Sequence, residues 1–294
     1  MENKRFYGID VGGTTIKIGL FEDETLVQKW SVPTNTANGG ANILTDIIDS
    51  LPGPADGAAL AVPGAVLPDG TVNRCVNLGW GVCHPAAEFT VRTGIPCRVL
   101  NDANAAALGE QRLGGGKGFE SVLFVALGTG VGAGVVLDGH LRVGARGAAG
   151  EIGHLCIDPM EPETCGCGNH GCLEQYCSAT GVCRLAEQEG LHGYTCAQGF
   201  DMAKTGDVRA ARAVDRACDA LGRGLAGVCA AVDPEAVVLG GGVALAGEFL
   251  RLKVADAFDK YAFHACRGTP ICLATLGSDA GLIGAAQYAM ELAE

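Results

Sequence analysis

The chain has 294 residues, of which 48% are hydrophobic, and its 33 acidic and 21 basic side chains give a net charge of −12. This length suffices for two domains that each bury a core. The acidic balance argues against a nucleic-acid surface, which needs a basic patch. No apolar run approaches the roughly 18 residues of a membrane span. The start, MENKRFYGIDVGG, lacks the apolar segment of a signal peptide, so we expect a cytoplasmic protein without a membrane partner.

Two glycine-containing hairpins dominate the predicted elements. In the first, apolar residues 6–9 lead to the turn Gly12-Gly13 and to the alternating residues 16–20. In the second, residues 122–127 lead to Gly128-Thr129-Gly130 and to residues 133–137. The turns lie about 116 residues apart, as expected for an internal duplication. We therefore expect two related α/β domains.

The other predicted elements fill the space around these hairpins. Helices are predicted at 41–51, 85–93, 101–113, 178–189, 195–205, 207–231 and from 279 onward, strands at 58–62, 98–100 and 236–239, and a small hairpin through 67–70. GGGKG, residues 114–118, is the best linker candidate. The expected domains are residues 1–116, joined by a returning helix at 279–294, and residues 117–278.

The first hairpin has the composition of a phosphate site. Exposed backbone N–H groups of such a turn bind phosphate, and an acidic residue at the strand end is placed to hold Mg²⁺ through water. An ordinary Gly-Gly hairpin is the alternative. The candidate ligands are Asp10, Gly12, Gly13, Thr14, Thr15 and Lys17.

Two further glycine turns favour the phosphate interpretation. LGTGVGAG supplies Gly128, Thr129, Gly130 and Gly132. A dinucleotide fingerprint would open a helix, whereas this segment continues into a strand. Gly240-Gly241-Gly242, between a strand and a helix, suits the adenosine end of a nucleotide. Three such turns together predict a nucleotide held in a cleft between the two domains.

Fourteen cysteines raise the question of disulfides, metal or thiol chemistry. In a reducing compartment most should be buried thiols. Cys165, Cys167 and Cys172 differ because three thiols within eight residues suit a tetrahedral zinc site that needs a fourth ligand. An iron–sulfur site more commonly uses four cysteines and is less favoured. A disulfide is least favoured in that compartment.

These motifs together resemble the ROK kinases, sugar kinases of the actin-like ATPase superfamily. The segments that carry the resemblance are DVGGTTIKIG, NDANAAALGE, LGTGVGAG, GEIGH, CGCGNHGCLE and LGGGV. The resemblance covers essentially the whole chain. It implies an α/β fold of two actin-like (ribonuclease H-like) domains with an interdomain cleft. It also implies ATP, Mg²⁺, a structural Zn²⁺ and a homodimer.

The resemblance assigns roles to particular side chains. Asp102 is implied as the general base, although a carboxylate at this position also suits a helix cap. His154 is implied both as a sugar ligand and as the fourth zinc ligand. The full set of implied sugar contacts is Gly64, Asn77, Asn101, Asp102, Glu151, His154 and Glu174. Trp80, in the same NLGW segment as Asn77, has a core role as its alternative.

The function expected from this resemblance is ATP-dependent phosphorylation of a hexose, most specifically the 6-hydroxyl of glucose. N-acetylmannosamine or another hexose is the alternative substrate. A sugar-sensing repressor would carry an added N-terminal DNA-binding module, and we expect none before a hairpin that begins within ten residues. An idle sugar-binding protein is disfavoured by Asp102 and the three glycine turns.

Overall fold

The computed structural model describes residues 3–293 and divides into two compact units. The first unit comprises Met1–Gly118, Gly134–Ala149 and Ser278–Glu294, and the second comprises Phe119–Ala133 and Gly150–Gly277. The sequence-based boundaries differ mainly at residues 134–149, and they stay a prediction. Residues 1–2 and 294, the ends of the expected first domain, lie outside the described residues.

The first sheet has the order β3-β2-β1-β4-β5. Its strands are β1 (Arg5–Val11), β2 (Thr15–Glu22), β3 (Thr25–Pro33), β4 (Gly57–Val62) and β5 (Cys97–Asn101). β1 pairs antiparallel with β2, which confirms the first hairpin, and places Asp10 opposite Lys17. β4 is parallel to β1 and β5 to β4. Every residue of β4 is buried, as expected for a parallel strand inside a sheet.

The second sheet repeats this arrangement with the order β10-β9-β6-β7-β8. Its strands are β6 (Val122–Leu127), β7 (Val131–Leu137), β8 (His140–Leu141), β9 (Ala236–Gly240) and β10 (Ile271–Leu273). β9 is parallel to β6, as β4 is to β1. Read outward from the first strand of each hairpin, the two sheets have the same connectivity. This repeat agrees with the duplication expected from the sequence.

Ten α-helices surround the sheets in residues 3–293. They are α1 (Ala37–Gly40), α2 (Ile43–Asp49), α3 (Pro85–Thr93), α4 (Asp102–Leu113), α5 (Glu174–Cys177), α6 (Ala179–Gln188), α7 (Cys196–Lys204), α8 (Val208–Val232), α9 (Glu248–Tyr261) and α10 (Ala280–Met290). Within this part of the chain, none has the length and apolar character that crossing a membrane requires.

Helices α4 and α10 of the first unit cross at very short range. A Cβ on Gly109 would lie 2.5 Å from the carbonyl oxygen of Ala280, and a Cβ on Gly284 would overlap the carbonyl of Ala105. Only glycine fits at these two positions, because any side chain would separate the backbones. The last helix is thereby fixed against the helix that begins at Asp102, and it also packs on β1 and β4.

Candidate active site and zinc centre

The first glycine turn is tight and is supported by the end of β3. The Gly12 N–H donates to the carbonyl oxygen of Thr15 at 3.1 Å, and a Cβ on Gly12 would lie 2.8 Å from that oxygen. The Thr34 hydroxyl donates to the carbonyl oxygen of Gly12 at 2.6 Å, and its N–H donates to that of Thr14 at 3.0 Å. Gly13 and Thr14 are exposed at the tip. Thr34 therefore fixes the backbone of the turn, while Gly13 and Thr14 remain accessible to a ligand.

Asp10, at the base of this turn, is a mostly buried carboxyl group. Burial raises its pKa from 3.8 to about 6, while the Lys17 ammonium opposes the rise and the carboxylates of Asp102 and Asp279 add to it. Lys17 donates from Nζ to the carbonyl oxygen of Ser278. Three carboxyl groups that affect one another electrostatically form an acidic centre. A divalent cation would relieve their repulsion, so the residues present fit Mg²⁺.

Asn101 and Asp102 stand at the junction of β5 and α4. The Asn101 side chain caps the helix, because its Oδ1 accepts from the N–H groups of Ala103 at 2.9 Å and Asn104 at 3.2 Å. The Asp102 carboxylate also accepts from the Ala103 N–H, at 2.8 Å, so it shares one donor of the first turn with the Asn101 cap. Asp102 is the first residue of α4.

The remaining candidate sugar residues of the first unit lie near the same junction or near the turn. The Asn101 amide donates to the carbonyl oxygen of Gly64 at 3.2 Å. A Cβ on Gly64 would lie 2.8 Å from the carbonyl oxygen of Arg74, so the segment leaves no room for a side chain there. The carbonyl oxygen of Asn77 lies 3.7 Å from the Cβ position of Gly13. The first unit thus brings Asn77 to the first glycine turn and Gly64 to Asn101.

Trp80 has a structural role. Its indole N–H donates to the carbonyl oxygen of Gly40 at 3.1 Å, and the ring packs against the core of the first unit. This arrangement agrees with the core alternative that the sequence left open.

The second and third glycine turns meet at the end of β6. The Gly128 N–H donates to the carbonyl oxygen of Gly130 at 3.0 Å. Gly241 has φ +81°, and a Cβ there would lie 2.5 Å from the carbonyl oxygen of Leu127. Gly132 lies in β7 and Gly240 ends β9. The strands therefore bring two turns that are more than a hundred residues apart in sequence to one place.

Open space lies in front of both turns. Within residues 3–293, and apart from its chain neighbours, no atom lies within 4 Å of a Cβ built on Gly242, and for Gly128 the nearest is the carbonyl oxygen of Gly130 at 4.0 Å. A ligand can approach the backbone closely where a side chain is absent and no other group fills its place. These residues fit a nucleotide.

The four residues expected to bind zinc lie together. One ligand atom from each of His154, Cys165, Cys167 and Cys172 lies within 4.8 Å of the others. Cys165 Sγ is 3.8 Å from His154 Nδ1, and Cys167 Sγ is 3.6 Å from Cys172 Sγ. Zinc bonds of about 2.0–2.3 Å in a tetrahedron separate the ligand atoms by similar distances, so the donor set fits Zn²⁺.

Ionising the Cys172 thiol is costly in its surroundings. Burial, followed by hydrogen bonds and charge from Cys167 and Cys165, raises the pKa of Cys172 to about 12. A bound metal reverses this effect, because it stabilises thiolates directly. Gly171 allows the loop to close: its φ is +68°, and a Cβ would overlap the carbonyl oxygen of Asp158.

Glu174 joins the zinc cluster to the second glycine turn. Its Oε1 accepts from Cys165 Sγ at 3.1 Å and lies 3.8 Å from His154 Nδ1. Its Oε2 lies 2.8 Å from the Cβ position of Gly130. The next residues continue the contact, since the Ala179 N–H donates to the carbonyl oxygen of Gly128 at 2.8 Å and the Thr180 hydroxyl to that of Thr129 at 3.1 Å.

Glu151 is exposed and precedes the short 3₁₀ turn Ile152–His154. Its carbonyl oxygen accepts from the His154 N–H at 3.2 Å. Glu151 and His154, three residues apart in the sequence, are therefore joined by one hydrogen-bonded turn. Movement of the His154 backbone would be transmitted to Glu151.

The family model described as "ROK family" matches residues 6–291. The chain belongs to the ROK family. Among curated proteins, it is 38% identical to a glucokinase of Halalkalibacterium halodurans, over 97% of this chain and 94% of that protein. It is 35% identical to an N-acetylmannosamine kinase of Yersinia pestis, over 96% and 97% of the two chains.

Solved ROK structures share this fold. A ROK hexokinase from Thermus thermophilus superposes with a TM-score of 0.87 at 34% identity and covers 99% of this chain and 100% of that one. A ROK family glucokinase from Streptomyces griseus, solved in complex with glucose and AMPPNP, gives 0.80 at 30% identity, over 98% and 99%. The predicted α/β fold with two actin-like domains is confirmed.

Sequence reasoning missed one group around the first turn. Lys29 and Asp279 form an ion pair at 2.6 Å, and Ser278 accepts from Lys17. Lys29 lies on β3, a strand that was not predicted. Asp279 was considered only as the start of the last helix.

Proposed function

We propose that this ROK protein is an ATP-dependent glucokinase that transfers the γ-phosphate to the 6-hydroxyl of glucose. The observation that carries the proposal is the 38% identity to a glucokinase over 97% of the chain. The open glycine turns and the acidic centre around Asp10 support it. The proposed sugar ligands are Gly64, Asn77, Asn101, Asp102, Glu151, His154 and Glu174.

In this proposal Asp102 is the general base. Its carboxylate takes the proton of the 6-hydroxyl as that oxygen bonds to the γ-phosphorus and the bond from phosphorus to the ADP oxygen breaks. Phosphoryl transfer needs little from the protein beyond positioning, neutralisation of charge and such a base. The N–H groups of the glycine turns orient the phosphates, and Lys17 adds a positive charge. Asp10 would hold Mg²⁺, which supplies charge neutralisation when bound.

The proposed zinc site is structural. His154, Cys165, Cys167 and Cys172 would provide four protein ligands and leave no open coordination position. Zinc would then hold Glu151, His154 and Glu174 in a fixed relation without taking part in phosphoryl transfer. The homodimer and the cytoplasmic location stay predictions.

N-acetylmannosamine is the second candidate substrate, because the N-acetylmannosamine kinase of Yersinia pestis is 35% identical. ADP release measured across hexoses and N-acetylhexosamines separates the two. We expect the highest kcat/KM with glucose. A higher kcat/KM with N-acetylmannosamine would make that sugar, rather than glucose, the preferred substrate. If no sugar accelerated ATP turnover, the kinase assignment itself would be wrong.

A further inference from the structure

The segment Ser278–Gly281, which we name the C-terminal clamp, contacts strands β1, β2 and β3 of the first sheet, each at one point. The first contact is with Lys17, whose Nζ donates to the carbonyl oxygen of Ser278, 261 residues later in the chain. Lys17 lies opposite Asp10 in the β1–β2 register. An ammonium group has three donors. Lys17 is therefore held by the clamp and still has donors for a phosphate.

The second contact is the pair between Lys29 and Asp279. Lys29 Nζ lies 2.6 Å from both carboxylate oxygens of Asp279. The two side chains are 42% and 30% exposed, and pairs of this kind contribute only about 0–1 kcal/mol to folding. Stability alone is therefore a weak reason for this geometry. The pair joins the clamp to β3, the edge strand of the first sheet.

The third contact places Gly281 directly against the Asp10 carboxyl group. A Cβ on Gly281 would lie 3.3 Å from Asp10 Cγ and 3.4 Å from each carboxylate oxygen. These are its three nearest heavy atoms. A methyl group there would press on the carboxylate, which would have to shift by a few tenths of an ångström. The absence of a side chain at 281 therefore sets the position of the Asp10 carboxylate.

The clamp is also fixed to the helix that carries Asp102. The clamp leads into α10, and α10 is locked to α4 through Gly109 and Gly284. Helix α10 thus contacts Asp10 through Gly281 and contacts the helix of Asp102 through Gly284. A displacement of α10 would move the two carboxylates relative to each other.

We propose that the C-terminal clamp is a positioning element for magnesium-nucleotide binding, with Gly281, Asp279 and Lys29 as positioning residues that act through Asp10 and Lys17. The inference rests on the proposed function, because it gives Asp10 and Lys17 their roles. It adds residues outside the glycine turns. Outer groups that orient metal-binding side chains typically change metal affinity by about 10–100-fold when altered.

The first test is Gly281→Ala, compared with Gly227→Ala. Gly227 lies inside α8, and no atom lies within 4 Å of its Cβ position, so it controls for placing alanine in a helix. Calorimetry measures the affinity for ADP with and without Mg²⁺. We expect Gly281→Ala to weaken Mg²⁺-dependent ADP binding about tenfold. Binding without Mg²⁺ and the KM for glucose should change less than about twofold. Gly227→Ala should match the wild type.

The second test, Lys29→Gln, separates positioning from simple electrostatics. Removing a positive charge near an acidic centre would by itself strengthen Mg²⁺ binding. Loss of the clamp contact should instead weaken it, by about threefold. Tighter or unchanged Mg²⁺-dependent binding would overturn the proposal. Because the variant changes an exposed pair, it decides the question even if Gly281→Ala does not fold.

The binding measurements also separate this inference from the kinase assignment. If the wild type bound ADP with Mg²⁺ but turned over no sugar, the kinase assignment would be wrong while the clamp was still tested by binding. If the wild type phosphorylated glucose and Gly281→Ala bound ADP and Mg²⁺ like the wild type, the clamp would be wrong while the kinase assignment stood.

Discussion

The two glycine hairpins share a backbone arrangement and differ in their side chains. Each joins the central strands of sheets that have the same order, and Gly12 corresponds to Gly128. The residue that corresponds to Asp10 is Ala126, so the second hairpin lacks a carboxylate there. Each turn has N–H groups, whereas only the first hairpin carries a carboxylate and an ammonium on its own strands, because the second receives its nearby carboxylate from Glu174. A duplicated fold can therefore repeat the backbone of a glycine turn while only one copy keeps the charged side chains beside it.

The supports behind the two turns differ as well. The first turn is held by charged and polar contacts from the C-terminal clamp and from Thr34. The second is held by the segment that follows the cysteine loop, through Glu174, Ala179 and Thr180. The first support should depend on ionic strength, and the second on a bound metal.

The largest expected effect tests whether the chemistry resides in the first unit. Asp102→Asn should lower kcat by about 10²–10⁴-fold, because the amide cannot accept the sugar proton. The melting temperature should change little, since Asn101 provides the helix cap. Asp49→Asn, at an exposed position in α2, is the matched control. Near-normal turnover of Asp102→Asn would reject the base.

The second-largest effect is expected when zinc is removed from the cysteine loop, which precedes the segment that contacts the second glycine turn. Chelation, or Cys167→Ser, should weaken glucose binding at least about tenfold, because His154 and Glu174 lose their fixed positions. Nucleotide affinity should fall later and by less, through the contacts of Ala179 and Thr180 with the second turn. Direct titrations with glucose and with ADP compare the two. Equal losses of glucose and ADP affinity would mean that the cysteine loop stabilises the whole second unit rather than the sugar-binding residues.

A pH-dependent stability difference should distinguish the hairpin with the carboxylate from the one without. The folded-state pKa of Asp10 is raised to about 6. Its contribution to stability is therefore complete below the unfolded value of 3.8 and is lost as the pH rises through 6. In metal-free buffer near pH 7, Asp10→Asn should raise stability by about 3 kcal/mol, whereas near pH 4 most of this gain should be lost. Melting curves of both proteins across this range check it, and an equal gain at both values would contradict it.

The smallest effect compares equivalent glycines. Gly12→Ala should lower the melting temperature by a few degrees, because its Cβ would lie 2.8 Å from the carbonyl oxygen of Thr15. Gly128→Ala should leave the melting temperature nearly unchanged, because the nearest heavy atom to its Cβ position is the carbonyl oxygen of Gly130, at 4.0 Å. It should instead weaken ADP binding a few-fold by occupying space in front of the turn. Similar melting shifts in both variants would mean that the turns are equally constrained.

The sequence predicted the elements that carry a strong pattern. Helix α3 is observed at Pro85–Thr93, as predicted, and the long helix predicted at 207–231 is Val208–Val232. β3 was missed because most of its residues are exposed, so it lacks the alternation of a half-buried strand. β10 has only three residues, too few for a periodic signal.

For the candidate site, local motifs were predictable and distant contacts were not. The three cysteines are readable from spacing, and their placement beside His154 agrees with the family resemblance. The contacts of Lys17 with Ser278 and of Lys29 with Asp279 join residues at least 250 positions apart. Nothing in either local segment indicates the other. They arise only because α10 returns to β1 in three dimensions.

The return of α10 also orders the events of protein synthesis. The first hairpin leaves the ribosome early, but its neighbours Ser278, Asp279 and Gly281 emerge only with the last helix. The second unit can complete its own contacts before that point, whereas the first must wait with part of its core uncovered. The nascent chain therefore gains the full environment of Asp10 only after residues 278–281 have been synthesised.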